Sequence, residues 1–246
     1  NPSWICFTDK ELRIIGELAT KYDVIIIEDL AYFAMDFRQD YSKPGQPPFQ
    51  PTVAKYTDNY LLLISSSKAF SYAGQRIGLM ILSNHLFNLQ SPDLLQYYSS
   101  DIVGRALIYG TVYALSSGTS HSTQYALAAM LKAVNDGQLD FVSVVREYGE
   151  KARIMKKMFT TNGFTIVYDK DEDKPIGDGF YFTIAYPGFS GEELLHELIY
   201  YGISAIALSI TGSERSEGLR ACVSLVQREQ FPALEERLQR FHENHP

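Results

Sequence analysis

The sequence predicts an α/β fold, on three observations. A capping-box signature opens a helical pattern near the start, short apolar runs without polar alternation recur through the first third, and a proline-rich stretch separates the first two of those runs. In Thr8-Asp9-Lys10-Glu11 the threonine can accept from a free backbone N–H while Glu11 reaches back to the cap's own N–H. Leu12, Ile15, Leu18 and Tyr22 follow at helical spacing. Val24–Ile27 is a short β-branched run, which suits a strand buried on both faces of a parallel sheet. Tyr41–Thr52 holds four prolines and a glycine and reads as a loop. Leu61–Ile64 and Ile77–Leu82 are the second and third strands. Together these elements predict part of an open, mostly parallel α/β sheet.

The second half has another rhythm. Ser91–Asn135 reads as largely helical, with aromatics and glycine breaks. Phe141–Thr161 carries Val142, Val145, Tyr148, Ala152, Met155 and Phe159 on one stripe and stops at Asn162-Gly163, a helix C-terminus signal. Phe164–Tyr168 and Phe180–Ala185 are strand-like. Ser190-Gly191-Glu192-Glu193 is a second capping box, opening a helix that ends near Gly202. Ala205–Ile210 and Leu219–Leu225 are further strands, and a last helix runs from about Glu229 to Phe241. The expected organisation is a sheet-containing domain over residues 1–135 and a small α+β domain over residues 136–246.

Composition narrows the function classes. The 246 residues are 46% hydrophobic and 21% charged, as in an ordinary globular protein. No apolar run approaches the roughly 18 residues of a membrane span. A net charge of −7 argues against a large non-specific nucleic-acid surface. Two cysteines, Cys6 and Cys222, make no disulfide framework, and a reducing, cytoplasmic setting is expected. The sequence contains no G-x-S-x-G elbow and no Walker A loop. His242-Glu243-Asn244-His245 reads as a solvated tail, and no metal site is expected.

Three clusters sit at strand ends, where open α/β sheets place ligands. They are Asp29-Leu30-Ala31-Tyr32, Ser65-Ser66-Ser67-Lys68 and Gly74-Gln75-Arg76-Ile77-Gly78. Asn1 and Arg220 stand apart from them. Each residue alone also has a structural reading: Asp29 as a turn cap, Lys68 as a solvated loop lysine, the serines as a loop, Arg76 as half of an ion pair. Arg220 lies in an apolar strand, where a buried arginine needs a partner.

Taken together, these motifs resemble the fold type I pyridoxal-phosphate enzymes, in the class I/II branch of the aspartate aminotransferase superfamily. There a strand-end D-x-x-Y is followed by S-x-S-K and then G-x-R-x-G, matched here by Asp29 and Tyr32, by Ser65 to Lys68, and by Gly74 to Gly78. The family's N-P-x-G is matched at Asn1-Pro2 but not at its glycine, where Trp4 stands. A late G-x-R is matched by Gly218-Leu219-Arg220. The resemblance implies a large domain with a mostly parallel sheet followed by a small α+β domain, with pyridoxal 5′-phosphate as cofactor.

The resemblance also implies roles. Lys68 would form the Schiff base and later move a proton at the substrate Cα. Asp29 would pair with the pyridine nitrogen and maintain the electron sink. Tyr32 and Asn1 would bond the cofactor's phenolic oxygen. Ser65, Ser67 and Arg76 would hold the phosphate, and Arg220 would clamp the substrate carboxylate. The implied activity is amino transfer between an α-amino acid and a 2-oxo acid. The same residues also serve β-eliminating carbon–sulfur lyases and the aminotransferase-like sensor domains of some transcription regulators. Arg105 is a candidate for a second carboxylate, although a helix-surface role suits it better. Tyr97, Tyr98, Tyr109 and Tyr113 fit either a pocket lining or packing. Family subunits are longer and commonly homodimeric. The resemblance therefore implies that these residues form a C-terminal portion, with an incomplete cofactor pocket when isolated.

Overall fold

The computed structural model describes residues 1–246, which divide into two compact units. One comprises Phe7–Ala34 and Tyr41–Val142. The other comprises Asn1–Cys6, Met35–Asp40 and Ser143–Pro246.

The first unit opens with α1 (Asp9–Tyr22), started by the expected capping box: the Thr8 hydroxyl accepts from the Glu11 N–H and Glu11 accepts from the Thr8 N–H. Its buried stripe is Leu12, Gly16 and Ala19, while Leu18 and Tyr22 are exposed. The small residues explain the rotation. A Cβ on Gly16 would lie 2.6 Å from the Tyr56 Cβ, so the helix sits tightly on that segment.

Strand β1 (Ile26–Leu30) begins two residues later than the apolar run suggests. Asp23 caps α1 in a left-handed conformation and the Val24 N–H donates to the Ala19 carbonyl, so the ladder starts at Ile26. Asp29 consequently lies within the strand rather than after it. β2 (Tyr60–Ser65) runs parallel to β1, with Asp29 opposite Leu63. After α2 (Ser66–Ala69), β3 (Gly78–Leu82) returns antiparallel, with Ser65 opposite Gly78. The three-stranded sheet is therefore mixed, not mostly parallel. The β2–β3 connection has no long crossover helix, which a parallel return requires.

Leu30 and Leu62 pack with Leu12 and Val53 on one face of this sheet. The expected burial on both faces is not found, since Ile27 is 65% exposed and Leu63 is also exposed. An unalternating apolar run carries no information on which face a given chain covers. Helical pieces follow: α3 (Asn84–Asn88), α4 (Val103–Arg105), a π-helical stretch (Ala106–Val112), α5 (Tyr113–Ser116) and α6 (His121–Asn135). Arg105, Tyr97, Tyr109 and Tyr113 are exposed on this segment, and Tyr98 packs against Gly110.

In the second unit, α7 (Phe141–Thr161, its first two residues belonging to the first unit) has the predicted bounds and buries Val145, Ala152, Met155 and Phe159. Gly163 follows at φ +84°. β4 (Thr165–Ile166), β7 (Tyr181–Ala185), β9 (Leu219–Cys222) and β8 (Ile206–Ala207) form an antiparallel sheet in the order β4-β7-β9-β8. A polar hairpin, β5 (Lys170–Asp171) with β6 (Lys174–Pro175), has no apolar alternation to announce it. All four strands of the β4-β7-β9-β8 sheet are shorter than predicted. β8, for example, gives way at Leu208 to a 3₁₀ turn stabilised by the Thr211 hydroxyl donating to the Leu208 carbonyl.

α8 (Gly191–Tyr200) has its capping box at Ser190 and Glu193, and α9 (Phe231–Asn244) ends the chain. Phe159, Phe182, Ile184, Leu194, Leu198 and Phe241 are central to the core. His242, Glu243 and Asn244 are exposed, as a solvated tail would be, but the two terminal histidines are also packed. Tyr186 Oη lies 2.7 Å from His242 Nδ1, and His245 stacks on Phe241 at 4.5 Å. No helix is long and apolar enough to cross a membrane.

Candidate active site

In the first unit the three strand-end motifs converge. Asp29 points from the β1 face that also carries Ile27, and its Oδ1 accepts from the Ala31 N–H at 2.9 Å. That bond turns the chain toward Tyr32. Ser65 ends β2 and caps α2, its hydroxyl accepting from the Ser67 N–H at 3.1 Å. Ser66 is only 2% exposed and donates to the Ile77 carbonyl, tying α2 to the third motif. The triplet thus divides its work: the middle hydroxyl holds the fold, and those of Ser65 and Ser67 line an open cavity of about 430 Å³.

Asp29, Arg76 and Gly78 line the same cavity, together with Leu63, Met80 and Val112. Arg76 is held at φ +53° after a 3₁₀ turn, and its Nη1 donates to the Ala73 carbonyl at 2.8 Å. Gly78 is sterically required, because a Cβ there would lie 2.8 Å from the Ile64 carbonyl oxygen. Lys68 is half-buried on α2, with Nζ over the Tyr32 ring at 5.1 Å from its centroid. One carboxylate, one guanidinium and two hydroxyls therefore share this cavity, while Lys68 and Tyr32 are not part of its lining.

In the second unit Arg220 sits on β9 with its guanidinium 4.2 Å from the centroid of the Tyr181 ring. Its Nη1 donates to Asn1 Oδ1 at 2.8 Å, and its Nε is buried without an acceptor. The sequence points to Asn1 and Arg220 and gives no sign of Tyr181 beside them. The two residues lie on adjacent strands whose register, Thr183 opposite Arg220, no local pattern reveals. Trp4, noted only as a departure from a motif, is buried beside them. Its ring meets that of Tyr181 edge-on at 5.7 Å.

The family model for aminotransferase class I and II matches residues 1–238. The chain belongs to that family. Its members depend on pyridoxal phosphate, and they use amino acids and 2-oxo acids. Among solved structures, the chain is similar to an aromatic aminotransferase from Pyrococcus horikoshii, with TM-score 0.69, 18% identity, and coverage of 99% of this chain and 57% of that one. It is also similar to an aspartate aminotransferase from Thermotoga maritima, with TM-score 0.68, 18% identity, and coverage of 99% and 54%. A third is an α-aminoadipate aminotransferase from Thermus thermophilus, complexed with N-(5′-phosphopyridoxyl)-L-leucine, with TM-score 0.65, 17% identity, and coverage of 98% and 56%. At these identities the likeness shows the aminotransferase-like α/β fold. The chain spans a little over half the length of these structures. No curated protein matches it.

Proposed function

We propose that the protein is a transaminase that uses pyridoxal 5′-phosphate to move an amino group between an α-amino acid and a 2-oxo acid. The observation that carries this reading is the gathering of Asp29, Ser65, Ser67 and Arg76 around one cavity, with Lys68 on the helix that Ser65 caps. The donor set fits the cofactor. Two hydroxyls and a permanently charged, forked guanidinium suit a phosphate. An exposed carboxylate suits a protonated ring nitrogen, and a lysine amine suits an aldehyde.

When bound, the cofactor supplies an electron sink beside the substrate Cα. Asp29 would hold the ring nitrogen in its protonated form. Its Oδ1 is already fixed by the Ala31 N–H, so the carboxylate is oriented before the ligand arrives. Ser65, Ser67 and Arg76 would hold the phosphate. Tyr32 would donate to the phenolic oxygen. Lys68 would hold the cofactor through its amine and, once that amine is free, move a proton at the substrate Cα. Its Nζ lies over the Tyr32 ring, 5.1 Å from the centroid, which orients the amine. Arg220 would bind the substrate carboxylate through its forked, permanently charged guanidinium.

Cofactor absorbance tests the proposal. The protein reconstituted with pyridoxal phosphate should lose its visible absorbance on adding an amino acid and regain it on adding a 2-oxo acid. Lys68→Ala should lack the lysine-dependent band. Release of pyruvate and ammonia without an acceptor would replace this reading with a lyase, and a protein that never acquires the band would overturn it.

A further inference from the structure

We infer that Trp4 is a positioning residue for the Arg220 guanidinium, acting through the Tyr181 ring. This rests on the reading of Arg220 as the carboxylate binder. Trp4 occupies a conformation that favours glycine, at φ +58°, yet it is 4% exposed. A bulky residue persists in that region only where its surroundings over-determine it, and such strain gathers at functional sites.

The surroundings here are specific. The Trp4 indole N–H donates to the Met35 carbonyl at 2.9 Å, which fixes the ring. The fixed ring meets the Tyr181 ring edge-on, at 5.7 Å and an interplanar angle of 70°, the favoured geometry for an aromatic pair. Tyr181 in turn presents its ring to the Arg220 guanidinium at 4.2 Å, where the negative face of the ring attracts the cation. Asn1 holds Nη1 from another direction. The Nε–H is buried with no acceptor. The ring and the amide together hold the plane of the guanidinium.

Removing the Trp4 edge lets the Tyr181 ring turn and takes the Arg220 fork out of register with a carboxylate. A glycine at this position would relax the backbone but supply no such edge, so the tryptophan exchanges backbone ease for side-chain position.

The test compares Trp4→Leu, Trp4→Phe and Arg220→Lys in the protein, with carboxyl-labelled propionate as probe and binding followed by NMR. Trp4→Leu should weaken propionate binding about two- to tenfold, the worth of one aromatic edge contact, and Trp4→Phe should restore most of it. Under turnover the loss should fall on KM more than on kcat. Trp4 is the chain's single tryptophan, so its emission should also change saturably with propionate in the unmodified protein. Unchanged binding in Trp4→Leu, alongside weakened binding in Arg220→Lys, would remove Trp4 and leave the carboxylate reading standing. Unchanged binding in Arg220→Lys would remove both. If Trp4→Leu does not fold, the Phe variant and the emission titration decide, and emission indifferent to propionate overturns the inference.

Discussion

The two glycines of the Gly74-Gln75-Arg76-Ile77-Gly78 motif should respond oppositely to alanine. A Cβ on Gly78 would lie 2.8 Å from the Ile64 carbonyl oxygen and 3.7 Å from the Ser65 Cα. Reaching an ordinary contact of 3.4 Å means separating β3 from β2 by about 0.6 Å at this point. The obstacle is backbone, so no side-chain rotation relieves it. Overpacking of this kind costs about 1–3 kcal/mol. For a chain of this length that corresponds to a melting temperature lower by roughly 2–12 °C. Gly78 pairs with Ser65, so the strain also displaces a hydroxyl proposed to hold phosphate, and affinity for inorganic phosphate should fall with it.

Gly74 has open space around its missing Cβ and no left-handed backbone. Gly74→Ala should therefore be neutral or stabilising by up to about 1 kcal/mol, through the lower entropy of the unfolded chain. Scanning calorimetry of both variants, with phosphate titrated by isothermal calorimetry, checks the pair. Equal melting temperatures, or the reverse order, would refute the steric reasoning.

Two further outcomes follow from individual groups. Ser66→Ala leaves the buried Ile77 carbonyl without its donor and should lower stability by about 1–3 kcal/mol in urea unfolding, whereas Ser67→Ala should stay within about 0.5 kcal/mol and instead weaken phosphate binding. Burial, followed by the Asp36 carboxylate, pushes the Cys6 thiol from its ordinary 9.0 up to about 12, so its thiolate fraction at pH 8 is about a thousandfold below that of an ordinary thiol. Cys222 is exposed, and a thiolate-directed reagent should modify one cysteine in the native protein and two after denaturation. Native labelling of Cys6 as fast as Cys222 would contradict this.

Legibility in the sequence follows the range of the interactions. Both capping boxes, Thr8 with Glu11 and Ser190 with Glu193, are local bonds over three residues and are readable as written. The helix Phe141–Thr161 is readable because its stripe and its Gly163 stop are both local. The start of β1 is not, because it depends on where the Val24 N–H goes. Nor is the Tyr181–Arg220 contact, which needs a strand register set by the whole core. Trp4 lies between these cases. The sequence marks it as a departure from glycine, and only the backbone angle shows that the left-handed conformation is retained without the glycine.

For the residues expected to carry chemistry, a structural bond and a place on the cavity wall coexist. Asp29 caps a turn with Oδ1 and lines the cavity. Ser65 caps α2 and lines it too. Arg76 bonds the Ala73 carbonyl with Nη1 and still belongs to that wall. A side chain already held by a backbone partner loses less freedom when it takes a ligand, and its dipole or charge is aimed in advance. A turn cap, a helix cap and a loop clasp occurring in one chain at these spacings therefore strengthen the assignment of a site, where any one of them alone would have argued for architecture only.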